Sequence, residues 1–135
     1  EPQFAGKYID AVTVGIDFTA RDVQANQKKK GLPWEIAKAF DNSAVVGEFT
    51  PISELPDNQS IKFNMHKNAT DVQIGDSVMM IYPIAELVAY LSKFFTLQQG
   101  DLIFTGTPAG VGPVAIGDVL TGLLEGTKRF EINIK

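Results

Sequence analysis

The 135-residue chain contains no cysteine, which removes disulfides, thiolate metal sites and a cysteine nucleophile together. Its one histidine, His66, excludes a multi-histidine metal centre. No apolar run approaches the roughly 20 residues needed to cross a bilayer, so no membrane partner is expected. Basic residues are the minority, 12 Lys and Arg against 16 Asp and Glu for a formal net charge of -4. That balance argues against a nucleic-acid partner held on a broad basic face. No basic segment followed by an apolar stretch opens the chain, so no signal peptide is read. The start at Glu1-Pro2 leads to the expectation that the chain begins partway through a longer protein or has lost an upstream segment. What is present is ordinary globular composition, 44% hydrophobic and 21% charged, which suits one domain over residues 1–135.

Residues 11–18 (AVTVGIDF) are rich in β-branched and aromatic types and predict a strand that ends in an acid, Asp17. Thr19 is placed to cap a helix running to Gly31, with Lys28, Lys29 and Lys30 in its last turn, where positive charge suits the helix dipole. Residues 31–34 form a turn carrying Trp34, and residues 35–40 are open between a helical turn and an extended piece. Residues 45–49 and 61–65 predict strands. In the second, Ile61, Phe63 and Met65 alternate with Lys62, Asn64 and His66. Asn68 starts a turn, and residues 72–74 return antiparallel. Residues 83–95 predict the clearest helix, with Pro83 at its first position and Ile84, Leu87, Val88, Leu91, Phe94 and Phe95 in one stripe facing a sheet. Strands are expected at 102–105 and 119–124 and at the end of the chain around Phe130, Ile132 and Ile134. About seven strands and two peripheral helices make the fold class α+β and mainly β.

Three groups of residues carry chemistry. Asp17, Arg21, Asp22 and Gln24 crowd one strand-to-helix junction, the kind of loop on which a rigid scaffold aims functional groups. Asp17 is a candidate ligand for a hard cation, and Arg21 a candidate bidentate clamp for a carboxylate. A surface pair between Arg21 and Asp22 is the plainer alternative. Lys38, between Ala37 and Ala39, either snorkels to water or meets an acid. The loop at 105–113 has the glycines, hydroxyls and N–H groups to hold an anion, but lacks the lysine of a phosphate-binding loop. His66 reads as a solvent-exposed side chain without an acid at useful spacing, and no serine occupies a nucleophile elbow.

Taken together, the run Gly15-Ile16-Asp17-Phe18-Thr19-Ala20-Arg21-Asp22-Val23-Gln24 resembles the signature of the fumarylacetoacetate hydrolase family. Lys29-Lys30-Gly31-Leu32-Pro33-Trp34 with Ala37-Lys38-Ala39-Phe40-Asp41 resembles its next block, and Gly100-Asp101-Leu102-Ile103-Phe104-Thr105-Gly106-Thr107-Pro108-Ala109-Gly110-Val111-Gly112-Pro113 its last. Ile16 stands where many members have Asn, and Thr19 where Ser is commoner. The branch resembled contains acylpyruvases, oxaloacetate decarboxylases or tautomerases, and diene-dioate isomerases.

The resemblance implies a mixed β-sheet roll, a homodimer, and one Mg²⁺ or Mn²⁺ ion per site. It implies that Asp17 binds the metal, that Arg21 and Gln24 face the substrate, that Lys38 points into the site in a catalytic role, and that Thr107 meets the substrate's carboxylate end. The expected reaction is hydrolysis of a C–C bond in an acylpyruvate-type 2-oxo acid through a stabilised enolate. Decarboxylation, tautomerisation or isomerisation is the alternative, and a non-catalytic binding chain is another. The family's Glu-x-Glu metal ligands and Glu–His pair have no counterpart before Asp17, so the chain is expected to be the C-terminal portion of a catalytic domain. A cytoplasmic location is expected, or a mitochondrial one in a eukaryote.

Overall fold

The computed structural model describes residues 1–56 and 60–135. Among these are eight strands and four α-helices: α1 (Pro2–Ala5), β1 (Ala11–Val12), β2 (Gly15–Asp17), α2 (Arg21–Lys30), α3 (Glu35–Lys38), β3 (Ala44–Val46), β4 (Thr50–Pro51), β5 (Lys62–Lys67), β6 (Thr70–Asp76), α4 (Ile84–Leu91), β7 (Val119–Leu124) and β8 (Thr127–Asn133). The α+β, mainly β class is therefore observed. β6, β5, β7 and β8 form a four-stranded sheet in that order, while β1 pairs with β4 and β2 with β3. All of these pairings are antiparallel.

The sheet follows from alternation. On β7, Leu120, Gly122 and Leu124 are buried while the residues between them are half-exposed, and Met65 of β5 joins them inside. Phe130 lies directly across from Gly122, and a Cβ on Gly122 would fall 2.2 Å from the Phe130 ring. A side chain there would displace the aromatic, so the bare strand is what lets the ring cover it. The β5–β6 turn places Asn68 and Ala69 at φ 51 and 65, the left-handed pair that matches the twist of a hairpin. Asn68 holds this turn to the rest of the sheet: its Nδ2 donates to Asp118 Oδ1 at 2.7 Å and its Oδ1 accepts from the Val119 N–H at 2.9 Å.

Several expectations change. The strand expected over 11–18 is two short strands, because Thr13 and Val14 leave the ladder: Thr13 Oγ1 donates to Glu48 O at 2.9 Å, and Val14 O accepts from the Gly47 N–H at 3.1 Å. Thr19 does not cap α2. The cap position is Ala20, with no side-chain hydrogen bond, because the Thr19 hydroxyl is engaged by Lys38. Residues 35–40 resolve into the short helix α3. Pro83 precedes α4 rather than beginning it, and the helix stops at Leu91. There the Ser92 hydroxyl donates to Ala89 O at 2.9 Å and competes for a helical carbonyl. The apolar stripe of α4 packs on α1, an element not anticipated, rather than on a sheet, and Phe94 and Phe95 stay exposed. Residues 102–105 form no strand; the Phe104 side chain, not its backbone, meets β2, lying 3.2 Å from where a Cβ on Gly15 would stand. His66 is half-buried, and its Nε2 pairs with Asp71 Oδ1 at 3.0 Å across the hairpin, so it does have an acid partner.

Candidate active site

Residues 17–20 and 37–43 are stitched together by backbone. The Phe18 N–H donates to Ser43 O at 2.7 Å, and the Ala20 N–H donates to Ala37 O at 3.0 Å. Ala37 has no exposed surface, so α3 is pressed against the start of α2 with no room for a larger side chain. This seam delivers Lys38, 21 residues along the chain, to the end of β2. Its Nζ forms a close ion pair with Asp17 Oδ2 and donates to Thr19 Oγ1 at 2.8 Å. Lys38 meets an acid rather than snorkelling away from one. An ammonium has three hydrogens, and these two partners leave one for a ligand.

The site is open to solvent. The Asp17 side chain is 47% exposed and that of Lys38 is 31% exposed. Arg21 begins α2 and is exposed, and Gln24 lies one turn later and is half-buried. No ion pair or hydrogen bond from Arg21 or Gln24 side chains occurs among the described residues, so the Arg21–Asp22 surface pair does not form. Residues three apart on a helix share a face. A guanidinium and an amide with unused donors therefore share one face at the start of α2, the end of the helix that the Ala20–Ala37 hydrogen bond joins to α3.

Thr107 lies elsewhere on the loop at 105–113. It lines an open cleft of about 2010 Å³, together with Gly15 and Phe104. No hydrogen bond or ion pair among the described residues joins it to Asp17 or Lys38. The Phe104 ring over Gly15 nevertheless brings its segment to β2, two residues before Asp17. Thr107 Oγ1 accepts a hydrogen bond from Gln73 Nε2 at 2.9 Å. Two participants were not singled out from sequence: Thr19, read as a cap, and Gln73, read as part of a hairpin arm. Neither carries a local signal, because each acquires its partner from a distant segment.

Among the described residues no group of three or more Asp, Glu or His side chains gathers to hold a divalent cation. Asp17 supplies a single carboxylate whose Oδ2 is engaged by Lys38. Mg²⁺ favours six oxygen ligands and dehydrates reluctantly. The residues of this chain do not fit the ion by themselves.

The model of the fumarylacetoacetate hydrolase C-terminal family matches residues 1–133. The chain belongs to the fumarylacetoacetate hydrolase family. Among its relatives is oxaloacetate tautomerase YcgM of Escherichia coli, 47% identical over 121 residues, covering 89% of this chain and 55% of that protein. Mitochondrial oxaloacetate tautomerase FAHD1 of Homo sapiens is 42% identical over 128 residues, covering 95% of this chain and 58% of that one. The crystal structure of fumarylpyruvate hydrolase from Pseudomonas aeruginosa in complex with Mn²⁺ and pyruvate superposes with a TM-score of 0.92 at 37% identity, covering 99% of this chain and 57% of that one. The fold of this family member is thus the family's own, and these named members are enzymes. The chain spans little more than half the length of the relatives it matches. Among the described residues no helix is long and apolar enough to cross a membrane.

Proposed function

We propose that the protein carrying this chain interconverts the keto and enol forms of a dicarboxylic 2-oxo acid of the oxaloacetate type. The relatives named as oxaloacetate tautomerases, at 47% and 42% identity, support this chemistry over C–C bond hydrolysis. The observation that carries it is the Lys38 ammonium, fixed by Asp17 and Thr19 with one hydrogen left over; Arg21, four residues after Asp17 in the chain, has no partner among the described residues.

In this reading Arg21 grips a substrate carboxylate through two parallel N–H donors, and Gln24 orients the chain of the acid. In the keto-to-enol direction a C3 proton leaves to water in the open site, the electron pair moves onto the C2 oxygen, and that oxygen takes a proton back from water. Lys38 donates to that oxygen, and the bond strengthens as negative charge develops. Asp17 and Thr19 hold the ammonium in place, so little reorganisation is needed when the charge forms. Thr107 binds the carboxylate end from the facing loop. We infer that the whole protein also takes Mg²⁺ or Mn²⁺, with Asp17 as this chain's one donor, and that it works as a homodimer. The Mn²⁺ and pyruvate in the Pseudomonas aeruginosa enzyme support the metal.

Hydrolysis of an acylpyruvate is the second reading, favoured by the likeness to fumarylpyruvate hydrolase. Both readings are tested in the whole protein by following the enol absorbance of oxaloacetate and the release of pyruvate from an acylpyruvate. Lys38→Met is expected to lower turnover by about 10²–10³-fold, the usual loss for one donor to a developing oxyanion. Unchanged turnover in that variant would end both readings. Pyruvate release without accelerated ketonisation would leave the hydrolase alone.

A further inference from the structure

We propose that Gln73 is a positioning residue: its amide makes the Thr107 hydroxyl an acceptor on the β6 side and leaves its hydrogen to donate to the anionic end of the bound 2-oxo acid. The inference rests on the reading of Thr107 as a substrate contact given above, and it adds what sets the polarity of that contact.

Gln73 Nε2 lies 2.9 Å from Thr107 Oγ1 and 2.9 Å from Pro108 O. A backbone carbonyl can only accept, so the atom facing Pro108 O must be the amide nitrogen. That settles which way the amide points without appeal to Thr107. An amide nitrogen has two hydrogens, and both are then spent on this loop, one on each oxygen. Having no lone pair to offer, it obliges the Thr107 hydroxyl to accept. The hydroxyl's own hydrogen has no acceptor among the described residues, and Thr107 is exposed on the wall of the cleft. The hydrogen is therefore free to donate to a ligand oxygen.

Two features of the backbone put Gln73 there. Pairing along β5 passes from Met65 opposite Gln73 to His66 opposite Asp71, so Val72 is an extra residue in β6. Such a bulge breaks alternation and re-aims the neighbouring side chain. The loop in turn lies on this bulge. Gly110 has φ 101, and a Cβ on it would fall 2.0 Å from Val72 O and 3.2 Å from Gln73 Cγ. Only a residue without a side chain lets the loop come close enough for the amide to reach Thr107 and Pro108 together.

The test uses the whole protein with oxaloacetate as substrate and oxalate as a binding probe. Thr107→Val and Gln73→Leu are each expected to raise KM, and the Kd for oxalate, about tenfold, the scale of one hydrogen bond to a charged group. The double variant should be no worse than Thr107→Val alone, because Gln73 acts through that hydroxyl. Gln73→Glu keeps the size of the side chain but can only accept, drawing the Thr107 hydrogen away from the ligand. It should weaken oxalate binding at least as much as Gln73→Leu, with the folded state checked by its unfolding midpoint. A double variant whose loss is the product of the two single losses overturns the positioning role while leaving Thr107 a substrate contact. So does wild-type oxalate binding by a folded Gln73→Glu. An unchanged KM in Thr107→Val instead removes the contact itself, and the positioning role falls with it.

Discussion

Two aspartates of this chain each sit beside a lysine, and their surroundings are opposite. Asp118 is buried at 8% exposure and receives the Ala115 N–H at 2.8 Å, the Asn68 amide at 2.7 Å and the Lys67 ammonium at 3.0 Å. Lys67 also donates to Pro113 O at 3.0 Å. The hydrogen bonds from Ala115, Asn68 and Lys67 hold the carboxyl well below its ordinary range, at about 2. Asp17 has the Lys38 ammonium as its one side-chain partner among the described residues, and its side chain is half-exposed. The Asp118 corner uses its hydrogen-bonding capacity to fasten the loop before β7 to the β5–β6 turn. The Asp17 corner keeps capacity in reserve. Satisfied polar groups hold a fold together, and unspent ones at a rigid seam are what a ligand can use.

The comparison breaks if changes at the Asp118 corner or in the sheet's buried face alter substrate binding, or if changes at the Asp17 corner alter stability. Leu124 carries the largest expected effect on stability. It is 2% exposed on β7, and Leu124→Ala is expected to cost about 3 kcal/mol, as for a buried leucine truncated to alanine. Urea unfolding monitored by fluorescence reads this directly; a loss under about 1 kcal/mol would mean that the sheet's inner face is not the core.

Asp118→Asn comes next and sharpens the contrast through its pH dependence. The folded carboxyl titrates at about 2 against an ordinary 3.8, so the carboxylate's contribution is complete above 3.8. It is lost as pH falls through about 2. The unfolding midpoints of wild type and variant should therefore differ by a constant amount at neutral and mildly acidic pH and converge only below 3.8. Convergence well above that point would mean that the three donors do not grip the charge.

Arg21→Lys is the smallest of these changes. It keeps the charge but loses the planar fork, so KM for oxaloacetate in the whole protein is expected to rise about tenfold with the unfolding midpoint unchanged. A fall in the midpoint with KM intact would make Arg21 a structural residue and erase the difference between the two corners.

Much of the sheet was legible along the chain. Alternation marked β5 and β8, residues 119–124 were expected as the strand that became β7, Asn68 marked the hairpin turn, and Gly31 at φ 63 ends α2 where a glycine was expected to. The failures have one cause. Residues 102–105 have strand-forming side chains, but strand propensity is realised only where a neighbouring edge accepts the ladder, and here Phe104 reaches β2 with its ring instead. The stripe on α4 was expected to face a sheet, because apolar spacing marks a buried face and not its cover, and the short helix α1 proved to be the cover. At the site, Asp17, Arg21 and Gln24 were visible because they crowd one junction. Lys38 stood undecided between water and an acid until α3 was seen pressed on α2.

By itself, then, the order of residue types determined which segments extend, where they turn, and which side chains carry charge or hydroxyls worth watching. Local sterics and the period of apolar residues act over a few positions and need no knowledge of the rest. Tertiary structure alone decided that Lys38 meets Asp17 and Thr19, that His66 finds Asp71 across a hairpin, and that Gln73 reaches Thr107 from a bulge. A hydrogen bond works only within about 3 Å and along its own axis. Which donors and acceptors come that close is settled by how separate segments pack, and no short stretch of the chain contains that information.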